Sequence, residues 1–155
     1  MSIQSIIRWF EIAKPEPTKK DVLTQVGCHF EEVQEFIMAT THAKAQAYAD
    51  EVGELTDFYK AGNVLNTLDT ADDVALLDAL CDQVVTAIGV GVLMGFDMAN
   101  AIKEVDRSNW TKFAKDDNGR PVTYIRPDGK IGKNPDTYQA PELEPFLTRN
   151  KGDLK

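Results

Sequence analysis

Cysteine and histidine are scarce in this chain, with two of each among 155 residues. Cys28 and Cys81 stand alone in apolar-periodic segments without a CxxC spacing, so neither a zinc cluster nor a disulfide framework organises the fold, and both thiols are expected as small buried hydrophobes. Neither His29 nor His42 falls into the Glu-x-x-His pattern that a di-iron bundle needs. Hydrophobic runs are short as well: the longest, about Val84 to Phe96, falls below the roughly 20 residues of a membrane span. The opening MSIQSIIRWFEIAK lacks the basic segment, long apolar core and cleavage site of a secretory signal, so a cytoplasmic protein without membrane association is expected. Basic charge is also in deficit. The net charge of −8 opposes stable nucleic-acid binding. What remains is ordinary globular composition, 43% hydrophobic and 27% charged, in a length suited to a single domain over 1–155.

Hydrophobic periodicity predicts an all-α fold with a helical core over about 1–108 and a wrapping tail over about 109–155. Ile3, Ile6, Ile7 and Phe10 recur at helical spacing until Pro15 and Pro17 interrupt them. Thr18 with Asp21 forms a capping pattern for a second helix of roughly 18–40, striped by Val22, Val26, Phe30, Val33 and Ile37. The Ala- and Glu-rich stretch over about 43–60 makes a third, stopped by Gly62-Asn63. Thr70 with Asp73 opens a fourth that runs to about Met94, with Val74, Leu77, Cys81, Val84 and Ile88 as its core-facing stripe. Gly89, Gly91 and Gly95 mark a tight contact with another helix. Asp97 caps a fifth helix carrying Met98, Ile102 and Val105, and its periodicity stops near Ser108-Asn109. In the tail, Val122-Thr123-Tyr124-Ile125-Arg126 before Pro127-Asp128-Gly129 predicts a small hairpin, while Pro135, Pro141 and Pro145 keep the rest extended.

Acidity is unevenly placed. Twelve acidic residues from Glu31 to Asp82 meet only Lys44 and Lys60, whereas eleven basic and nine acidic residues follow from Lys103 onward. Most of these carboxylates only solvate a surface, but two sets concentrate charge. In HFEEVQEF, Glu32 and Glu35 share a helix face with Glu31 beside them, and Asp78 and Asp82 lie four apart on the fourth helix between Leu77, Leu80, Cys81 and Val84. Like charges this close destabilise an isolated helix by a few tenths of a kcal/mol per pair unless a cation neutralises them. Oxygen donors without suitably spaced histidine favour Mg²⁺ or Mn²⁺. Glu54 and Asp57, in GELTD, form a competing ExxD pair, ranked below Asp78 and Asp82 because the latter occupy the stronger apolar stripe just ahead of the basic tail.

The segments HFEEVQEF, LDALCDQVVTAIGVGVLMGFD, EVDRSNWTKF and DGKIGK, with Tyr138 and Pro141 beyond them, resemble the all-α NTP pyrophosphatase superfamily in order and helix placement. Within it they are similar to the compact, phage-type MazG-like and phosphoribosyl-ATP pyrophosphohydrolase-like proteins, over about 30–141. The family's second motif is usually ExxD; here Ala79 stands where that Glu would be, and Asp78 is one position off. The resemblance implies a four-helix core assembled as a dimer or tetramer. It implies Glu32, Glu35 and Asp82 as metal ligands, Asp78 as a fourth, and Glu31 as a further ligand or, with Glu32, a catalytic group. Asn109 and Lys112 would grip the phosphates, Lys112 also serving catalysis, and Lys130 and Lys133 would be the later basic pair.

The implied activity is hydrolysis of a (d)NTP to the monophosphate and pyrophosphate, with two or three Mg²⁺ or Mn²⁺ ions. The chemistry is coherent, since acidic helices alone repel a triphosphate, and cations balance that charge and acidify the attacking water. The compact phage type further implies a purine deoxynucleotide, dGTP first. Trp9, Phe10, Ile12 and Lys14 would build an apolar slot and Trp110 a stacking face. Two alternatives stay open: hydrolysis of phosphoribosyl-ATP at the same site, and a non-catalytic acidic protein that mimics DNA or binds a partner.

Overall fold

The computed structural model describes residues 3–64 and 69–148, so residues 149–155 of the expected tail lie outside it. Five helices dominate the described residues: α1 (Ile3–Ala13), α2 (Lys19–Ala39), α3 (Ala45–Lys60), α4 (Asp73–Leu93) and α5 (Met98–Trp110). A minimal ladder of β1 (Ala114–Lys115) and β2 (Pro121–Val122) and a 3₁₀ turn at Glu144–Phe146 complete them. The all-α class read from the periodicity holds. The chain forms two compact units, one made of α1, residues 72–124 and the chain from Ile131 onward, the other of residues 16–71 with 125–130.

Local chemistry explains where the helices begin. Thr18 caps α2 in a reciprocal box: its hydroxyl accepts from the Asp21 N–H at 3.2 Å and the Asp21 carboxylate accepts from the Thr18 N–H at 3.0 Å. At α4 the cap is Asp72 rather than the expected Thr70, because its carboxylate accepts from the N–H groups of Val74 and Ala75 at 3.1 and 3.0 Å. An ionised acceptor also suits the positive end of the helix dipole. Asp97 caps α5 as expected, accepting from the Asn100 N–H.

Gly89 and Gly91 of α4 and Gly95 just beyond its end serve different ends. Gly95, at φ +76, lets the chain leave the helix, with the Phe96 N–H returning to the Gly91 carbonyl at 2.9 Å. A Cβ at Gly91 would collide with the Met98 sulfur, whereas one at Gly89 would meet nothing within 4 Å. The close neighbour is therefore a side chain at the start of α5, not a second helix backbone.

In the first unit Trp9, Ala13 and Phe113 form the core, with Ile12, Trp110 and Ile131 packed against it. Both indoles find acceptors, as tryptophans removed from water require: Trp9 donates to the Asn109 carbonyl at 2.8 Å and Trp110 to the Ser5 hydroxyl at 3.0 Å, which donates in turn to Asp106. The described tail is not extended throughout, since Pro135 lies in a turn and Pro145 in the 3₁₀ turn; it is held along α5 by Ser108 donating to the Gln139 carbonyl at 2.7 Å and the Glu142 N–H donating to Glu104 at 3.0 Å. The chain pairs across the expected Pro127-Asp128-Gly129 turn, where the Gly132 N–H donates to the Tyr124 carbonyl at 2.7 Å, and an unpredicted ladder precedes it. Val122 pairs with Ala114 and Pro121 with Lys115, so the chain turns at 116–120, while Pro127-Asp128-Gly129 makes a separate turn in the second unit. That turn is closed by the Arg126 N–H on the Lys130 carbonyl at 2.8 Å.

In the second unit α2 and α3 fold back on each other through residues 40–44. Leu23, Thr24 and Gly27 from α2 and Ala45, Ala49 and Thr56 from α3 are buried, and these mostly small side chains let the helices approach closely.

The stripe on α4 that was expected to face a core does not do so. Leu77, Leu80 and Val84 are 64%, 54% and 54% exposed, and Gly91 is the one residue of the helix that is buried. The sequence explains the discrepancy, because Leu76, Val85, Val90 and Val92 spread apolar surface over most of the circumference outside the Asp78–Asp82 face, so no single stripe is marked as inward. Cys81 is exposed and Cys28 half-buried, so neither thiol is the buried hydrophobe expected. By length and composition alone, the 21 residues Asp73–Leu93 are also long and apolar enough to cross a membrane, a longer segment than the Val84–Phe96 stretch singled out above.

Candidate functional site

The capping box at Thr18 fixes the start of α2, and four turns of helix then carry the acidic motif. Glu32 and Glu35 are exposed, one turn apart, while Glu31, rotated by about 100° from Glu32, is half-buried toward the inside of the unit. Asp78 and Asp82 are exposed one turn apart on α4. Among the described residues, Glu35, Asp78 and Asp82 enter no ion pair, and no three Asp, Glu, His or Cys side chains converge on one point. All-oxygen donors fit a hard cation in kind. Each pair shares one helix face. The competing Glu54 and Asp57 are likewise exposed, on α3.

Glu31 has a different environment. Its Oε2 accepts from the Lys60 ammonium at 3.1 Å and from the Lys130 ammonium in a shorter contact, so two cations meet one carboxylate oxygen. Burial pushes the Glu31 carboxyl up, but the hydrogen bonds from Lys130 and Lys60 outweigh it and hold the group below the usual carboxylate range. Lys130 responds in the opposite sense: burial lowers it, and the bond to Glu31 more than restores it, leaving it above the ordinary lysine value. The neighbouring Cys28 thiol is pushed up by burial, against the pull of Lys130 and Lys60.

Backbone geometry delivers both lysines. Lys60 ends α3, and its stem lies against Gly27, where a Cβ would stand 2.6 Å from Lys60 Cγ and 2.9 Å from the Thr56 carbonyl oxygen. Lys130 follows Gly129, whose φ of +84 completes the turn and sets it beside Thr24. Lys20 donates to the Lys60 carbonyl at the C-terminal end of α3, where a cation is favoured. Arg126 and Asp128 neutralise each other at 3.0 Å.

No family model, curated protein or solved structure matches the chain.

The remaining predicted residues lie in the first unit. The Asn109 carbonyl receives the Trp9 indole, the Lys112 ammonium sits 5.7 Å from the Trp9 ring centre, and the Lys133 ammonium sits 4.9 Å from that of Tyr138. Ile12 packs on the core and Lys14 is half-buried. Trp9, only 6% exposed, closes that core instead of lining an open slot, while Phe10 is exposed. A recess of about 420 Å³ on this unit is lined by Glu104, Arg107, Gln139, Glu142, Pro145 and Phe146, none of them predicted. Its charged pair is already satisfied: the Arg107 hydrogen bond and then the Glu142 N–H lower the Glu104 carboxyl to about 2. This clamp binds the tail to α5. The residue that sequence reasoning missed is Lys60, one of the two basic residues inside the acidic block. Its relation to Glu31 depends on how α3 returns along α2, for which Gly27 in mid-helix was the one visible signal.

Proposed function

We propose that this protein is a metal-dependent nucleoside triphosphate pyrophosphohydrolase with a MazG-like four-helix core, which converts a (d)NTP, dGTP first, to the monophosphate and pyrophosphate. The observation that carries the reading is the pair of acidic helix faces: Glu32 and Glu35 on α2, Asp78 and Asp82 on α4, each pair one turn apart and exposed. Carboxylates so arranged repel one another and would be relieved by a hard divalent cation. Glu32, Glu35 and Asp82, with Asp78 as a fourth, would hold Mg²⁺ or Mn²⁺, which when bound supplies charge neutralisation and a more acidic attacking water. Asn109 and Lys112 would position the phosphates, and Lys130 and Lys133 would balance their charge.

The exposed apolar surface of α4 supports a homo-oligomer, since monomers seldom leave so much contiguous apolar surface in water. A membrane is the weaker explanation for this helix, because Asp82 near its middle would cost about 2.5–3.5 kcal/mol in a bilayer. The exposure of Glu32, Glu35, Asp78 and Asp82 also fits, as a second reading, a non-catalytic acidic protein that binds a partner. A panel of (d)NTPs and phosphoribosyl-ATP, each with Mg²⁺ or Mn²⁺, separates the readings. Metal-dependent turnover fastest with dGTP is expected. Turnover of phosphoribosyl-ATP alone would transfer the site to that substrate, and no turnover at all would favour the binding protein.

A further inference from the structure

We propose that Lys60 and Lys130 form a subsite for the triphosphate tail of the nucleotide, and that the Glu31 carboxylate occupies the anion position until phosphate displaces it. The nature of the anion rests on the pyrophosphohydrolase reading; the subsite itself rests on geometry. Both ammonium groups meet the same oxygen of Glu31, which is how two lysines would grip one phosphate oxygen. Each ammonium carries three N–H donors and uses one on Glu31, so donors remain for a larger anion.

The local charge favours such a ligand. Two lysines against one carboxylate leave an excess positive charge, and Arg126 and Asp128 cancel. In a chain of net charge −8 this is an island of the sign that a polyphosphate seeks. The side chains of Lys60, Lys130 and Glu31 are 20%, 17% and 34% exposed, so the cluster is not sealed from solvent. Both are pre-placed, Lys60 by the space above Gly27 and Lys130 by the 126–130 turn, which lowers the ordering cost of binding. A carboxylate already taken by two ammonium groups is a poor candidate for metal ligation. This separates Glu31 from Glu32 and Glu35, with which it was first grouped.

The test is calorimetric titration of the metal-stripped whole chain with sodium tripolyphosphate, at low salt and without divalent cations. Wild type is compared with Glu31→Gln, Lys60→Met, Lys130→Met and, as a charge control, Glu54→Gln. Methionine keeps an apolar stem, and circular dichroism reports whether each variant folds. Wild type should bind, Glu31→Gln should bind about tenfold tighter, and either methionine variant about tenfold weaker. Glu54→Gln should change affinity by less than about twofold. The subsite is overturned if wild type does not bind, if Glu31→Gln gains no more than Glu54→Gln, or if Lys130→Met, on a surface turn and thus the safer variant for folding, binds like wild type. Because neither metal nor turnover enters the assay, the expected binding pattern alongside an inactive protein would refute the hydrolase alone, and flat binding alongside full activity would refute the subsite alone.

Discussion

Glu31 and Glu32 are neighbours in sequence and occupy different settings in the structure, one tied to Lys60 and Lys130 and the other exposed on the outer side of α2. The spacing that puts Glu32 and Glu35 on one face was legible in the sequence, because helical geometry alone dictates it. The lysine partners were not, since they come from the end of α3 and from a turn about a hundred residues away in the chain. The carboxyl of Glu31 is held below its ordinary value, so its contribution to stability is present above the ordinary carboxylate range and lost as pH falls through its folded value. Lys130 is raised, so its contribution is present below the ordinary lysine value and lost as pH rises through the raised one. Docking of the 126–130 turn should thus be strongest between about pH 5 and pH 10, which the Gly129 and Lys130 amide shifts would follow. A double-mutant cycle of Glu31→Gln with Lys130→Met should give about 1 kcal/mol of coupling after solvent screening, and a value near zero would mean the pair holds nothing. At the outer carboxylates, Glu35→Ala and Asp82→Ala should abolish turnover while chemical denaturation finds the fold intact, and Glu54→Ala should be mild. A dead Glu54 variant beside an active Asp82 variant would transfer the second motif to α3.

Helix boundaries came through the sequence well because side-chain caps fix them: the expected and observed starts of α2 and α5 coincide with Thr18 and Asp97. At α4 two adjacent acidic residues offered a better cap than Thr70, and Asp72→Ala should cost about 1 kcal/mol in chemical denaturation. The ladder of β1 and β2 was not legible because a strand of two residues leaves almost no periodicity to read. What α4 packs against was the least legible feature, since apolar residues cover most of its circumference outside the Asp78–Asp82 face and mark no single inward stripe. If that surface is covered by another copy, Leu77→Lys combined with Val84→Lys should shift light-scattering mass toward the monomer without loss of helix, because both side chains are exposed within one chain. An unchanged mass in the double variant, or a monomeric wild type with full activity, would remove the oligomer from the account.

For the molecule as a whole, the acidic block and the basic tail set out in the sequence are distributed over two compact units, with one basic island, at Lys60 and Lys130, inside the more acidic of them. Periodicity made the all-α class evident and composition the negative charge; neither carried a trace of the division into units, which depends on residues 125–130 joining α2 and α3 far from them in the chain. The central claim is that this arrangement directs water to the α-phosphorus of a nucleoside triphosphate. Hydrolysis of dGTP with Mg²⁺ in ¹⁸O-labelled water, followed by mass spectrometry of the products, addresses it most directly. The account predicts metal-dependent formation of dGMP carrying the label and of unlabelled pyrophosphate, whereas label in pyrophosphate, or release of orthophosphate and dGDP, would contradict it.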